Sequence, residues 1–315
     1  MDLMSSEQTE RELMRVQANQ VELVERIMRA VPEDATVQVL PGLFFHRYSI
    51  NNKPNHGVSD PAFCVIAQGS KEVLLGDHRY RYDPAHYLLA TLEMPTISRI
   101  IEASKEKPYL SMRLQLDPNL VSSVIVEAGY HSPRKQVAGD VKAINVSTLD
   151  ANLSDAVVRL ARLVESPGEA RILAPLITRE IIYRLYMGEQ SERLRYRAAL
   201  GGNLHRIIKV MNRLRAEYDK PLRIDDMAQD IGMSVSGLHH HFKTVTAMSP
   251  LQFQKHLRLQ EARRLMLTEN LDAASAGYRV GYDNASHFSR EYKSFFGNPP
   301  MRDAEQLREV VSQSS

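Results

Sequence analysis

The chain has 315 residues, 40 Lys+Arg against 38 Asp+Glu, 43% hydrophobic and 25% charged side chains. This is ordinary globular composition with room for about two domains of roughly 150 residues each, and it excludes wholesale disorder, collagen and mucin-like stalks. The net charge of +2 is too small to argue for a nucleic-acid partner by itself, so the patterns must decide. No apolar run approaches the roughly 18–20 residues that cross a bilayer, so no membrane partner is expected. The first residues are polar and acidic where a secretory signal is basic and then apolar, and the single Cys64 cannot form an internal disulfide. The expected compartment is the cytoplasm.

Along the first 30 residues Leu13, Val16, Leu23 and Ile27, with Val21, Val24, Met28 and Val31, recur three or four apart. That spacing predicts an amphipathic helix ending before Pro32, packed on its own domain or in a dimer contact. From about 37 to 116 the period becomes strand-like: FFHRYSI, AFCVIAQ, KEVLLG, HRYRYD, HYLLAT, TISRII and YLSMRLQL are short and rich in β-branched and aromatic residues. Gly76-Asp77 between two such runs reads as a tight hairpin. Leu110, Met112, Leu114 and Leu116 alternate with Ser111, Arg113 and Gln115, giving one apolar and one polar face. Strands this short and this many form a small sandwich or barrel.

Helical spacing returns over 118–188. Leu153, Ala156, Val157, Leu160, Leu163 and Val164 form one stripe, with Asn152 or Ser154 as cap and Pro167-Gly168 after its end. A second run, 169–187, aligns Leu173, Leu176, Ile177, Ile181 and Leu185. These helices can pack on the β core or form an antiparallel dimer interface, since both uses bury the same stripe. The polar, arginine-rich stretch 191–202 reads as a linker, which makes 1–190 one domain and 203–315 another.

Beyond 221 the turns are well marked. Asp225 can cap a short helix carrying Met227, Ala228 and Ile231; Gly232 makes a tight turn, and Ser234 caps a second helix with Leu238 and Phe242 on one face. This is the helix-turn-helix pattern. It recurs about fifty residues later: Asp272 caps, Gly281 turns, and Asn284 caps a helix carrying Phe288, Tyr292 and Phe295. Between the two, SPLQFQKHLRLQEARRLML has no interior Gly or Pro and predicts a rigid helix of roughly 17 residues, about 26 Å long. Such a spacer can hold two recognition helices about one DNA turn apart on one face of a duplex.

Ala228, Gly232, Met233-Ser234, Leu238, Phe242-Lys243, Ser249-Pro250, Arg258-Leu259, Ala262, Val280-Gly281-Tyr282, Phe288-Ser289-Arg290-Glu291-Tyr292, Phe296-Gly297 and Pro299-Pro300 together resemble the double helix-turn-helix domain of the AraC/XylS family of bacterial transcription regulators. The stretch PAFCVIAQGSKEVLLGDHRYRYDPAHYLLAT resembles the N-terminal sensor domain of one branch of that family. The resemblance implies an α+β chain: an N-terminal cupin-like β-barrel with flanking helices, then an all-α DNA-binding domain. It also implies a homodimer, a small-molecule effector, RNA polymerase as a partner and activation of transcription. Two departures stand out. Gly277 occupies a helix where the family has a helix former, at a cost of up to about 1 kcal/mol, and the ending ProProMetArgAspAla is not the family's commonest.

By that family's geometry Ser236, His239, His240 and Lys243 of the first recognition helix face double-stranded DNA, as do Ala285, Ser286, Ser289 and Arg290 of the second, with His287 beside them. Arg290 matches the O6 and N7 acceptors of guanine; its alternatives are a phosphate contact or an ion pair with Glu291 or Asp283. Lys243 and Lys293 suit phosphates. The run His239-His240-His241 does not form a metal site, because successive helical residues point about 100° apart. In the strand region His46, His56, His78 and His86 lie at least eight residues apart without a His-x-His pair, so no metal, no cofactor and no catalysis are expected there. The effector candidates are Cys64, His46, Tyr82 and Met112. Cys64 is either a small buried hydrophobe or a thiol open to electrophiles, for which Lys71, Arg79 or His46 would supply the activating charge. The competing readings are a cupin-type metal enzyme with a DNA-binding tail, and a ligand-independent DNA-binding dimer.

Overall fold

The structure is a computed structural model that describes residues 2–52, 54–129, 143–189 and 203–312. It divides into two units, residues 1–200 and 201–315. The expected linker 191–202 lies outside the described residues.

Helix α1 (Asp2–Ala30) opens the first unit. Strands β1 (Ala35–Leu40), β2 (Leu43–Tyr48), β3 (Asn55–Ser59), β4 (Ala62–Gln68), β5 (Ser70–Leu75), β6 (His78–Tyr82), β7 (His86–Ala90), β8 (Met94–Glu102) and β9 (Tyr109–Gln115) follow. Helix α2 (Pro118–Glu127), strand β10 (Ile144–Thr148) and helices α3 (Ala151–Arg162) and α4 (Pro167–Met187) complete it. The strands do not close into the expected barrel. They make a six-stranded sheet, β1-β2-β9-β4-β7-β10, and a four-stranded sheet, β3-β8-β5-β6, every pairing antiparallel. The chain changes sheets at the corner between β4 and β5, where Gly69 has φ +86°, so no ladder runs between them.

Alternation along the strands gives the larger sheet two different faces. Leu43 and Phe45 of β2, Phe63 and Val65 of β4, and Leu110, Met112 and Leu114 of β9 are buried in one cluster with Leu23, Ile27 and Val31 around α1 and with Leu153, Val157 and Leu160 of α3. Each such fully buried side chain contributes about 1.5–3 kcal/mol. The other face carries His46, Cys64, Ser111 and Arg113. Glu22 of α1 receives two hydrogen bonds from Arg162 of α3, at 2.8 and 2.7 Å, which fastens the helices to each other outside the apolar seam.

One end of α3 differs from expectation. Asp150, rather than Asn152 or Ser154, caps α3, its carboxylate accepting from both Asn152 and Leu153 amides. Pro167 follows the end of α3, as expected, and also begins α4, where its missing N–H costs nothing in a first turn. In α4 the expected single stripe splits. Ile177, Ile181, Ile182, Leu185 and Tyr186 are buried, while Ile172 (68%), Leu176 (58%) and Met187 (56%) are largely exposed.

The second unit is helical: α5 (Asn203–Ala216), α6 (Ile224–Asp230), α7 (Val235–Thr246), α8 (Pro250–Thr268), α9 (Ala273–Arg279), α10 (Ala285–Phe296) and α11 (Pro300–Ser312). Asp225 lies inside the first turn of α6, not at its cap; Arg223 holds that position without a side-chain bond. The spacer α8 runs 19 residues, about 28 Å, and opens with a reciprocal Ser249–Gln252 capping box. Arg258 on α8 donates to the carbonyls of Tyr218 and Lys220 and, at 2.9 Å, to that of Gly281, so one guanidinium joins the α5–α6 turn to the α9–α10 turn.

Candidate functional site

The two recognition helices are built alike. Helices α7 and α10 each have 12 residues. Each follows a glycine in the left-handed region, Gly232 at φ +63° and Gly281 at φ +89°. Ser234 caps α7 by accepting from the Gly237 amide, and Asn284 caps α10 by accepting from those of Ser286 and His287. Each buries one face, Leu238 and Phe242 in the first, Phe288 and Tyr292 in the second. The opposite strip, at spacing i, i+4, i+7, carries Ser236, His240 and Lys243 on α7 and Ser286, Arg290 and Lys293 on α10, all exposed. His239 is also exposed; Ala285 and Ser289 sit half-buried at the flank of α10.

Electrostatics favours an anionic partner for these strips. Lys243, Arg290 and Lys293 make no ion pair among the described residues. Glu291, the acid beside Arg290, is engaged elsewhere: Lys255 reaches it at 3.3 Å and the Tyr282 hydroxyl donates to it at 2.8 Å. Arg290 therefore keeps an unneutralised guanidinium at the centre of its face. It and His287 also border a groove of about 560 Å³ against Lys255 and His256 of α8.

The first unit holds a second concentration of chemistry, between the sheets. The structure brings together three of the four effector candidates, His46, Cys64 and Tyr82, and separates Met112 from them. Met112 is on the opposite face of β9, buried with Phe45 and Val65 in the helix-packed core. Burial, then the positive charges of Lys71 and Arg113, push His46 down to about 3, so its ring is neutral and shares a 2.8 Å hydrogen bond with the Thr36 hydroxyl. Burial pushes the Cys64 thiol up, outweighing the opposing pull of Lys71 and Arg113. That leaves little thiolate for an electrophile. Arg79 does not contribute there; it pairs at 3.2 Å with Glu72 on the outer face of the smaller sheet. Tyr82 shares a hydrogen bond with Tyr109.

Arg113 and Tyr109 join this interior without having been singled out as site residues from the sequence, and Lys71, named there only as a source of charge for Cys64, belongs to it too. The signal was in the hairpin: a two-residue Gly76-Asp77 turn pairs Leu75 with His78 and, counting outward, Lys71 with Tyr82. Among the described residues no three His, Cys, Asp or Glu side chains converge as metal ligands. No helix among them is long and apolar enough to cross a membrane.

Two helix-turn-helix units joined by one helix, following a β-rich unit in the chain, define the class of helix-turn-helix regulators with an appended sensor domain. Residues 39–193 match the model of the AraC-type transcriptional regulator N-terminus, and residues 227–306 that of a helix-turn-helix domain. The chain belongs to the AraC/XylS family of transcription regulators. It is 27% identical to the transcriptional regulator ArgR of Pseudomonas aeruginosa over 49% of this chain and 47% of that protein. To the transcriptional activator NphR of a Rhodococcus species it is 22% identical, over 75% of this chain and 67% of that one. The chain thus spans about half the length of ArgR and less, 37%, of the regulator GbdR of Pseudomonas aeruginosa. Among solved structures, an apo variant of ToxT from Vibrio cholerae shares the fold at TM-score 0.53 and 11% identity, covering 86% of this chain and 98% of that one.

Proposed function

We propose that this chain is a sequence-specific transcription regulator that binds double-stranded DNA through α7 and α10 and responds to a small-molecule effector taken up by its N-terminal unit. The observation that carries this is the twinned pair of exposed strips, Ser236/His240/Lys243 and Ser286/Arg290/Lys293, with their three unpaired cations. In this reading Arg290 and His240 read base edges, Lys243 and Lys293 grip phosphates, and His239, Ala285 and Ser289 line the contact. The effector is a reversible ligand rather than an electrophile, because Cys64 is held in its thiol form. The chain acts in the cytoplasm as a binding protein, not an enzyme. Activation with RNA polymerase follows the family and the printed name of NphR, a transcriptional activator.

The homodimer forms through α4, whose Ile172, Leu176 and Met187 are exposed while its other face is buried. An exposed apolar stripe beside a buried face on one helix is a surface that a second copy can cover.

Footprinting of the full chain on a bound duplex tests the DNA reading. Two adjacent protected major-groove segments are expected, with His240→Ala opening one and Arg290→Ala the other. Loss of both segments in each variant, or of neither, contradicts the separate roles.

A further inference from the structure

The interior between the sheets contains a positive charge with no acid to match it. Lys71 of β5 lies deep among the atoms of the first unit, yet it, Cys64 and His46 keep some accessible surface. Side chains that are deep and yet keep accessible surface can be reached by a small molecule. The titratable groups within electrostatic reach of the Lys71 ammonium are the neutral His46 ring, the Cys64 thiol and the Arg113 guanidinium, and among the described residues no carboxylate pairs with it. Arg113 is already neutralised: Asp60 accepts from it at 2.9 Å, and its guanidinium lies over the Phe44 ring at 5.4 Å. One uncompensated cation remains.

Hydroxyl donors surround it. Tyr82 sits directly across the hairpin from Lys71, and its hydroxyl is linked to that of Tyr109. Strand alternation places Ile66 and Leu88 on the face of Cys64, and Val73 and Leu75 on the face of Lys71. A lone ammonium in such surroundings is costly unless an anion completes it. One net positive charge matches one negative charge, and apolar walls match an apolar body.

We infer that this interior is a binding site for a small organic monocarboxylate with an apolar body, held by Lys71 and the hydroxyls of Tyr82 and Tyr109. The inference gives the chemical class of the effector and rests on the reading of the N-terminal unit as the effector domain. Lys71 is then kept for the ligand at a cost to the empty protein.

Thermal unfolding of the full chain with millimolar hexanoate or cyclohexanecarboxylate, beside hexanamide, cyclohexanecarboxamide, succinate and inorganic phosphate, tests it. The two monocarboxylates are expected to raise Tm and the other four to leave it unchanged. The rise should vanish in Lys71→Met and shrink in Tyr82→Phe, while ligand-free Lys71→Met melts at or above wild type because it removes an unmatched charge. Equal shifts by the amides, a shift that survives Lys71→Met, or no shift by either acid would overturn it. Should Lys71→Met not fold, an undiminished shift in Tyr82→Phe overturns it instead. DNA affinity measured in parallel separates the two readings. Carboxylate binding that leaves DNA affinity unchanged supports the anion site and removes its effector role. An amide that raises Tm and alters DNA affinity preserves the effector role and overturns the anion site.

Discussion

Phe288 presses its ring so close to Gly277 that a Cβ there would lie 2.9 Å from two ring carbons. The family departure at this position is thus a fit between two residues, which helix propensity alone cannot reveal. Gly277→Ala gains propensity worth up to about 1 kcal/mol but overpacks the ring, which costs about 1–3 kcal/mol. Urea unfolding of the full chain should therefore show net destabilisation of the second unit, and a stabilised variant contradicts the packing account. His46 makes a second prediction. Its ring is neutral in the folded protein down to about pH 3, whereas an unfolded imidazole titrates near 6.5. Below about pH 6.5 the unfolded chain binds a proton that the folded one refuses, so stability present above that pH is lost as pH falls. From about pH 7 to about pH 5 the loss is about 2 kcal/mol, and His46→Gln should remove most of that slope. An unchanged slope would show that His46 is protonated in the fold. His46 and Cys64 stood out in the sequence by residue type; their place on one face of the larger sheet did not, because AFCVIA is apolar on both faces and hides which side is inward.

Among the elements, the helices of the second unit were the most legible, because Ser234, Asp272 and Asn284 are caps whose side chains do bond the amides ahead of them. The seven central strand runs were equally plain. Strands β1, β3 and β10 were missed: β1 and β3 are sheet edges with mostly exposed or half-buried residues, so they lack a clean alternation, and β10 stands apart from the other strands in the sequence. The twinned recognition helices allow base and phosphate contacts to be separated. Arg290→Ala should cost about 1–3 kcal/mol of affinity for the preferred sequence and relax specificity there. Lys293→Ala should weaken all sequences alike and lower the salt slope by about 1. A uniform loss in the arginine variant would make Arg290 a phosphate contact.

For the molecule as a whole, the two-part organisation could be seen in the polar, arginine-rich stretch 191–202 between the two patterned regions, but the open pair of sheets could not. Closure depends on which strands pair across a corner, and the pattern of each strand is the same in a sandwich and in a barrel. The proposed homodimer places its interface on α4. Leu176→Glu places a charge on its exposed stripe without touching the buried face, so sedimentation should show a monomer with unchanged folding; a persistent dimer moves the interface elsewhere. The central claim, that the two recognition helices α7 and α10 read two neighbouring stretches of DNA, is tested most directly by selecting bound duplexes from a random pool with the full chain. Enrichment of two short motifs about one helical turn, roughly 34 Å, apart is the expected result. Enrichment of a single motif, or of none at low salt where phosphate attraction is strongest, would contradict it.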